Sequence, residues 1–283
     1  MSYSGARRRS GRLMTIAYAL WGLLLFLAFT VAYFPYGEVL ATKLAPMGLQ
    51  LSYQQARFRL PLGVSLRNVK VLAARPARGQ ALESQKLTLE PVFTSLLTGR
   101  PALAVGAELY GGHAQVFVSR AGPTGYKVRF EALALDLAKL ARLADVGASL
   151  SGKLSASGLF DLNQGGAASA AGRFQFDGKN VAVRFGTGIL SITFTELAGA
   201  FAVKPGILDV RRLHGRGPEL GLDAQGAVRL APSLALSTVN VTCQLAPTAA
   251  GRARLGVFLR LLPHPPGASP YLIRGPLLMP SIS

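Results

Sequence analysis

The chain has 283 residues, 50% of them apolar and 16% charged, so it is too apolar for a disordered protein and long enough to bury a sizeable core. Lys and Arg number 31 against 13 Asp and Glu, a formal charge of +18, which directs attention to an anionic membrane surface, nucleic acid or an acidic partner. One cysteine, Cys243, excludes an internal disulfide framework and any multi-cysteine metal or iron-sulfur site within one chain.

Residues 1–12 form a basic tail carrying Arg7, Arg8, Arg9 and Arg12, and no charge follows until Glu38. The 22 positions from Leu13 to Phe34 span about 33 Å as a helix, against a hydrocarbon core of about 30 Å. Residues 13–36 are therefore expected to cross a membrane once, with Tyr18, Trp21, Tyr33 and Tyr36 toward the two interfaces. Between Pro35 and Leu49 only Glu38 and Lys43 are charged, so the arginine imbalance keeps the amino terminus cytoplasmic and sends residues 37–283 across. A cleaved signal peptide is the competing reading, with Val39-Leu40-Ala41 at the cleavage position. Against it, the apolar run exceeds the roughly 7 to 15 residues of a signal's apolar region. Flush against this segment, Arg7-Arg8-Arg9 reads as a topology signal and not as a nucleic-acid patch.

Beyond Glu38 the dominant period is two, the mark of half-buried strands. In chain order it runs through Val64 to Leu72, Lys86 to Glu90, Gln115 to Val118 and Tyr126 to Phe130. It returns in Arg173 to Asp177, Asn180 to Phe185, Leu190 to Thr195, Leu220 to Asp223, Ala227 to Leu230 and Leu234 to Gln244. Asp177-Gly178 between two such runs predicts a hairpin turn. Phe174, Phe176, Val181, Val183, Phe185, Ile192 and Phe194 are expected on one side of the sheet, as a closed core face or an open apolar groove. A glycine precedes alternating residues at Gly152, Gly172, Gly199, Gly226 and Gly275, too unevenly for a solenoid and suited to a meander with glycines at strand starts or bulges.

Helical signals are few: a turn or two over Pro91 to Thr98, a short amphipathic helix over Leu135 to Leu143, and a third over Ala249 to Leu262 ended by Pro263-His264-Pro265-Pro266. The predicted fold is mostly β: one transmembrane helix, then an elongated, twisted, largely antiparallel sheet that curls into a sandwich, barrel or trough to cover its apolar face. A sub-boundary of the 37–283 domain is placed near 145–151.

No catalytic constellation is legible, and no cofactor is expected. His113, His214 and His264 lie in unrelated segments without carboxylates at ligand spacing, and read as surface or loop residues. Neither a nucleophile elbow, a phosphate-binding loop nor a dinucleotide fingerprint is present. Arg57, Arg59, Arg129, Arg173 and Arg184 are scattered at polar strand positions without the aromatic interleaving of an RNA-reading sheet, so no nucleic-acid partner is expected.

Six segments carry a family resemblance: Phe34-Pro35-Tyr36, Pro61 to Val69, Ser95 to Gly99, Glu108-Leu109-Tyr110-Gly111-Gly112, Leu150 to Leu154, and Tyr271 to Pro280. Together they resemble the type II secretion system protein N (GspN) family, over nearly the full length. The wider resemblance is to AsmA-like envelope proteins, which share an anchor followed by repeated β segments. The first resemblance implies a non-catalytic, single-pass protein of the bacterial inner membrane. Its periplasmic domain would assist export of folded proteins, with other secretion components and membrane lipids as partners. The second implies a protein that binds or moves phospholipid along an apolar β groove.

Overall fold

The computed structural model describes residues 38, 42, 49–59, 63–73, 81–92, 94–95, 101–122, 125–144, 148–162, 170–185, 190–231, 237–267, 269–277 and 279–283. The expected anchor, with Arg7, Arg8, Arg9, Arg12, Trp21 and Tyr33, lies outside them. No helix among the described residues is long and apolar enough to cross a membrane.

Alternation becomes strand almost throughout. The strands are β1 (Leu49–Ser52), β2 (Gln55–Arg59), β3 (Gly63–Ala73), β4 (Ala81–Pro91), β5 (Ala102–Leu109), β6 (Gly112–Ala121), β7 (Gly125–Asp136) and β8 (Ala148–Leu162). They continue as β9 (Ala171–Phe185), β10 (Leu190–Lys204), β11 (Ile207–Arg216), β12 (Leu220–Arg229), β13 (Thr238–Pro247), β14 (Tyr271–Pro276) and β15 (Ser281–Ile282). All belong to one 15-stranded sheet in which each strand from β3 onward pairs with the next, while β1 and β2 share the outer edge of β3. Every pairing is antiparallel. Among the described residues no pairing joins the β1/β2 edge to β15, so the sheet is open. At about 4.8 Å per strand it measures roughly 60 Å along its hydrogen bonds. The path is unbroken through β7, β8 and β9; 145–147, at the expected sub-boundary, lie outside the described residues.

The predicted turn at Asp177-Gly178 is not formed. β9 runs straight through it, because β8 and β10 are long enough to pair it on both sides: Gly178 sits opposite Leu154 and Leu197. Gly178 is there for space, since a Cβ would come within 2.7 Å of the Val181 side chain. Two residues later Asn180 takes a left-handed φ of 51°, and the register against β8 slips by one residue. This β-bulge turns both Lys179 and Asn180 to the exposed side and brings Val181 back to the side of Phe176.

Among the described residues, two helices of eight residues or more interrupt the meander. α1 (Leu137–Ala144) begins where the Asp136 carboxylate accepts the Ala138 N–H at 2.9 Å, so Leu135 and Asp136 are strand and cap instead of helix. α2 (Ala249–Leu259) is capped by Thr248, whose hydroxyl accepts the Gly251 N–H at 3.0 Å, and ends short of Leu262. Of the first predicted helix, Pro91 belongs to β4, 94–95 are helical, and 96–98 fall outside the described residues. Among the described residues, buried side chains gather in one cluster of Val64, Leu66 and Val69 on β3 and another of Leu137, Val181 and Phe194, where α1 lies against the sheet.

Candidate functional site

In an antiparallel ladder, directly opposed residues project from the same face, so the register shows what runs across the strands. One row passes from β2 to β15 as Phe58, Val64, Leu89, Val105, Val116, Phe130, Gly158, Phe174, Phe201, Val210, Gly226, Val241, Ile273 and Ile282. It contains no polar side chain. The next row on the same face is Ala56, Leu66, Leu87, Ala107, Ala114, Ala132, Ala156, Phe176, Gly199, Leu213, Ala224, Cys243 and Tyr271. On the other side lie Pro91, Leu103, Val118, Val128, Phe160, Gly172, Val203, Leu208, Val228, Val239 and Gly275. Same-face rows stand about 7 Å apart, so these three make an uncharged band roughly 14 Å wide across the whole sheet.

The middle of the band is a ladder of rings. Phe130 stacks on Phe160 at 5.9 Å, Phe160 on Phe174 at 6.3 Å, Phe174 on Phe201 at 4.7 Å and Phe176 on Phe201 at 5.7 Å. Glycines make room for them: a Cβ at Gly199 would lie 2.6 Å from the rings of both Phe176 and Phe201. All five phenylalanines are only half-buried, and Leu103, at one side of the band, is 38% exposed. Among the described residues there is no second sheet to supply a covering layer.

The band is not open along its whole length: Val64 and Leu66 on β3, and Val210, Val228, Cys243 and Tyr271 toward the other end, are buried. Beyond the bulge, Leu137 of α1 packs on Val181 and Phe194, which are 3% and 6% exposed, with Val183, Ile192 and Leu197 around them. Of the apolar residues singled out from sequence, Phe174 and Phe176 stand in the half-exposed ladder, while Val181 and Phe194 are buried under α1 with the partly buried Val183 and Ile192 packed against them. Phe185 ends β9, opposite Ala148 and Leu190. Phe130, Phe160 and Phe201 were not singled out from sequence. Phe201 stands two residues after the recurrent Gly199, and Phe130 closes the alternating Tyr126 to Phe130 run.

The opposite face is mostly polar, though Phe117 and Leu159 are exposed on it, and it carries exposed pairs such as Arg129–Glu131 at 2.7 Å, Arg59–Glu90 at 2.8 Å and Lys70–Glu83 at 2.8 Å. Exposed pairs of this kind add little stability. A separate cavity of about 750 Å³ adjoins the β5–β6 turn and is lined by Lys70, Glu83, Tyr110, His113 and Lys139 among others. Burial raises the pKa of the Tyr110 hydroxyl, whose oxygen has no hydrogen-bond partner; the Glu83 backbone N–H pulls the other way without meeting hydrogen-bond geometry. His214 pairs with Asp223 at 2.6 Å, and His264 stacks on Tyr271 at 4.2 Å. No group of three or more His, Cys, Asp or Glu among the described residues is placed to hold a metal.

Comparison of the chain with protein-family models, with curated proteins and with solved structures gives no match.

Proposed function

We propose that this chain is a non-catalytic, inner-membrane-anchored protein of the bacterial envelope whose periplasmic sheet forms a trough for the acyl chains of phospholipid. The carrying observation is the uncharged band that crosses the sheet from β2 to β15 and stands half-exposed along its phenylalanine ladder. Burying an acyl chain of roughly 16 carbons withdraws enough CH₂ groups from water to gain on the order of 10 kcal/mol, at about 0.8 kcal/mol each. A bilayer offers the same gain, so exchange between bilayer and band is nearly neutral in free energy, as a carrier requires. The expected anchor at 13–36 places the band beside a source of lipid.

Lipid analysis of the full-length chain, purified in detergent, tests this reading. Phospholipid is expected to co-purify, and a Val116→Glu, Val241→Glu double variant is expected to lose more than half of it with an unchanged circular dichroism spectrum. Equal lipid content in the two would overturn the proposal.

A second reading, an accessory part of the type II secretion machine, is supported by the family-like segments, four of which fall on β3, the β5–β6 turn, β8 and β14. Deletion of the gene separates the two. Exoproteins held in the periplasm support the secretion role, whereas intact secretion with a more permeable outer membrane supports the lipid role alone.

A further inference from the structure

From Ala224 to Ser283 the chain contains no Asp or Glu, but it carries Arg229, Arg252, Arg254, Arg260 and Arg274. This acid-free stretch builds one end of the sheet, β13 to β15, and the helix α2 beside it. α2 is apolar nearly all round. Gly251 and Leu255 face inward and are buried, and the Arg254 guanidinium pairs with the buried Glu219 carboxylate, fixing how the helix sits. Its other side shows Ala253 and Val257, continued by Leu261 in the terminal turn; Val257 is 73% and Leu261 78% exposed. Arg252 and Arg260 flank that stripe, exposed and without an ion pair among the described residues. Met279, just before β15, is 84% exposed.

We infer that α2, at this end of the sheet, docks onto the surface of an anionic lipid bilayer, with Val257 and Leu261 entering the interface and Arg252 and Arg260 meeting lipid phosphates. An all-round apolar helix needs a cover on its outer side as well as its inner one. A bilayer interface supplies hydrocarbon for the apolar tips and negative charge for the arginines at once, and arginine stems can lie along the apolar phase while their heads reach water. Charge complementarity favours an anionic surface, because only Arg254 of the helix is matched by a carboxylate, that of Glu219, while Arg252 and Arg260 have no ion pair among the described residues. The helix lies beside β12 and β13, far across the sheet from β1 and roughly 50 Å away along the hydrogen bonds. It is therefore an attachment distinct from the expected anchor, and it does not depend on the band carrying lipid.

The test uses the full chain in neutral nanodiscs, with Val257→Cys bearing an environment-sensitive fluorophore; Cys243 is buried and takes no label. Phosphatidylglycerol-rich vesicles are expected to raise and blue-shift the emission, and phosphatidylcholine vesicles to leave it unchanged. Arg252→Ser with Arg260→Ser is expected to weaken binding by roughly tenfold or more, since each basic residue near an anionic surface strengthens it about fivefold. Salt that cuts the screening length to about 3 Å is expected to do the same. A label at 257 that ignores anionic vesicles overturns the inference, as does an equal response to neutral ones. So does a label already in an apolar environment before vesicles are added, which would mean that protein covers the helix. The lipid content of the band, measured separately, is unaffected by any of these outcomes.

Discussion

Asn180 and Asn68 adopt the same left-handed backbone, φ 51° and 50°, and each is followed at once by a buried valine, Val181 at 3% exposure and Val69 at 1%. The surrounding sequences match: Lys179-Asn180-Val181-Ala182-Val183 and Arg67-Asn68-Val69-Lys70-Val71. In both, two successive polar residues stay outside and the apolar side resumes one position later than strict alternation would place it. The device lets a long strand keep one apolar face past a break in alternation. Asparagine tolerates this conformation better than other residues with a side chain, and glycine tolerates it freely. Asn180→Ala is therefore expected to cost about 1 kcal/mol in denaturant unfolding, and Asn180→Gly much less. Equal losses for the two would mean that the Asn180 side chain, and not its backbone, is what matters.

Burial separates two phenylalanines that sequence treats alike. Phe194 lies under α1, so Phe194→Asp leaves an unpaired carboxylate in closed core, a penalty of several kcal/mol against a total of about 5 to 15. The domain is expected to unfold. Phe201 is half-exposed, and Phe201→Asp is expected to keep the native circular dichroism spectrum with a lowered unfolding midpoint. Two equally unfolded variants would show that the band is covered core.

The seat of α2 depends on a close approach. A Cβ at Gly251 would collide with the Glu219 backbone carbonyl, which also accepts the Thr248 N–H at 3.0 Å. Backbone cannot yield as a flexible side chain does. Gly251→Ala is expected to cost about 1 to 3 kcal/mol and to make Arg254 and the helix more accessible to proteases. An unchanged unfolding midpoint would contradict this contact.

Strand content was legible in the chain because period-two alternation survives in nearly every segment, from Val64 to Leu72 through to Leu220 to Asp223. Turn position was less so: Asp177-Gly178 has the composition of a hairpin turn, yet pairing on both flanks overrides that local preference. The band itself was only partly visible. Phe174 and Phe176 announced a face, but the alignment of Phe130, Phe160 and Phe201 beside them is a matter of register, fixed by strand lengths and bulges that no single segment reveals. Whether a face is closed or open was also beyond local pattern, since Phe194 and Phe201 differ only in what α1 covers.

Alkaline pH provides an independent check on the β13–β14 end. Burial first, and the Asp223 carboxylate second, raise the Cys243 thiol above its ordinary 9.0, while burial first raises the Tyr271 phenol above 10.0. Both folded groups hold protons that the unfolded chain has begun to release. Stability is thus full below about pH 9 and falls as pH rises through and beyond 10. Denaturant midpoints across this range should show that loss, and Cys243→Ser should delay its onset. Consistent with burial, N-ethylmaleimide is expected to modify Cys243 at least about tenfold more slowly in the native chain than in denaturant.

The central claim, that the band is an accessible acyl-chain surface, is tested most directly by photo-crosslinking in cells. A benzophenone side chain is placed in the full-length chain at Val116, Phe174, Phe201 or Val241 of the band, and at Gln175 on the polar face as the control. The account predicts phospholipid adducts at the four band positions and none at 175. Folded protein without lipid adducts at the band, or with equal adducts at 175, would contradict it.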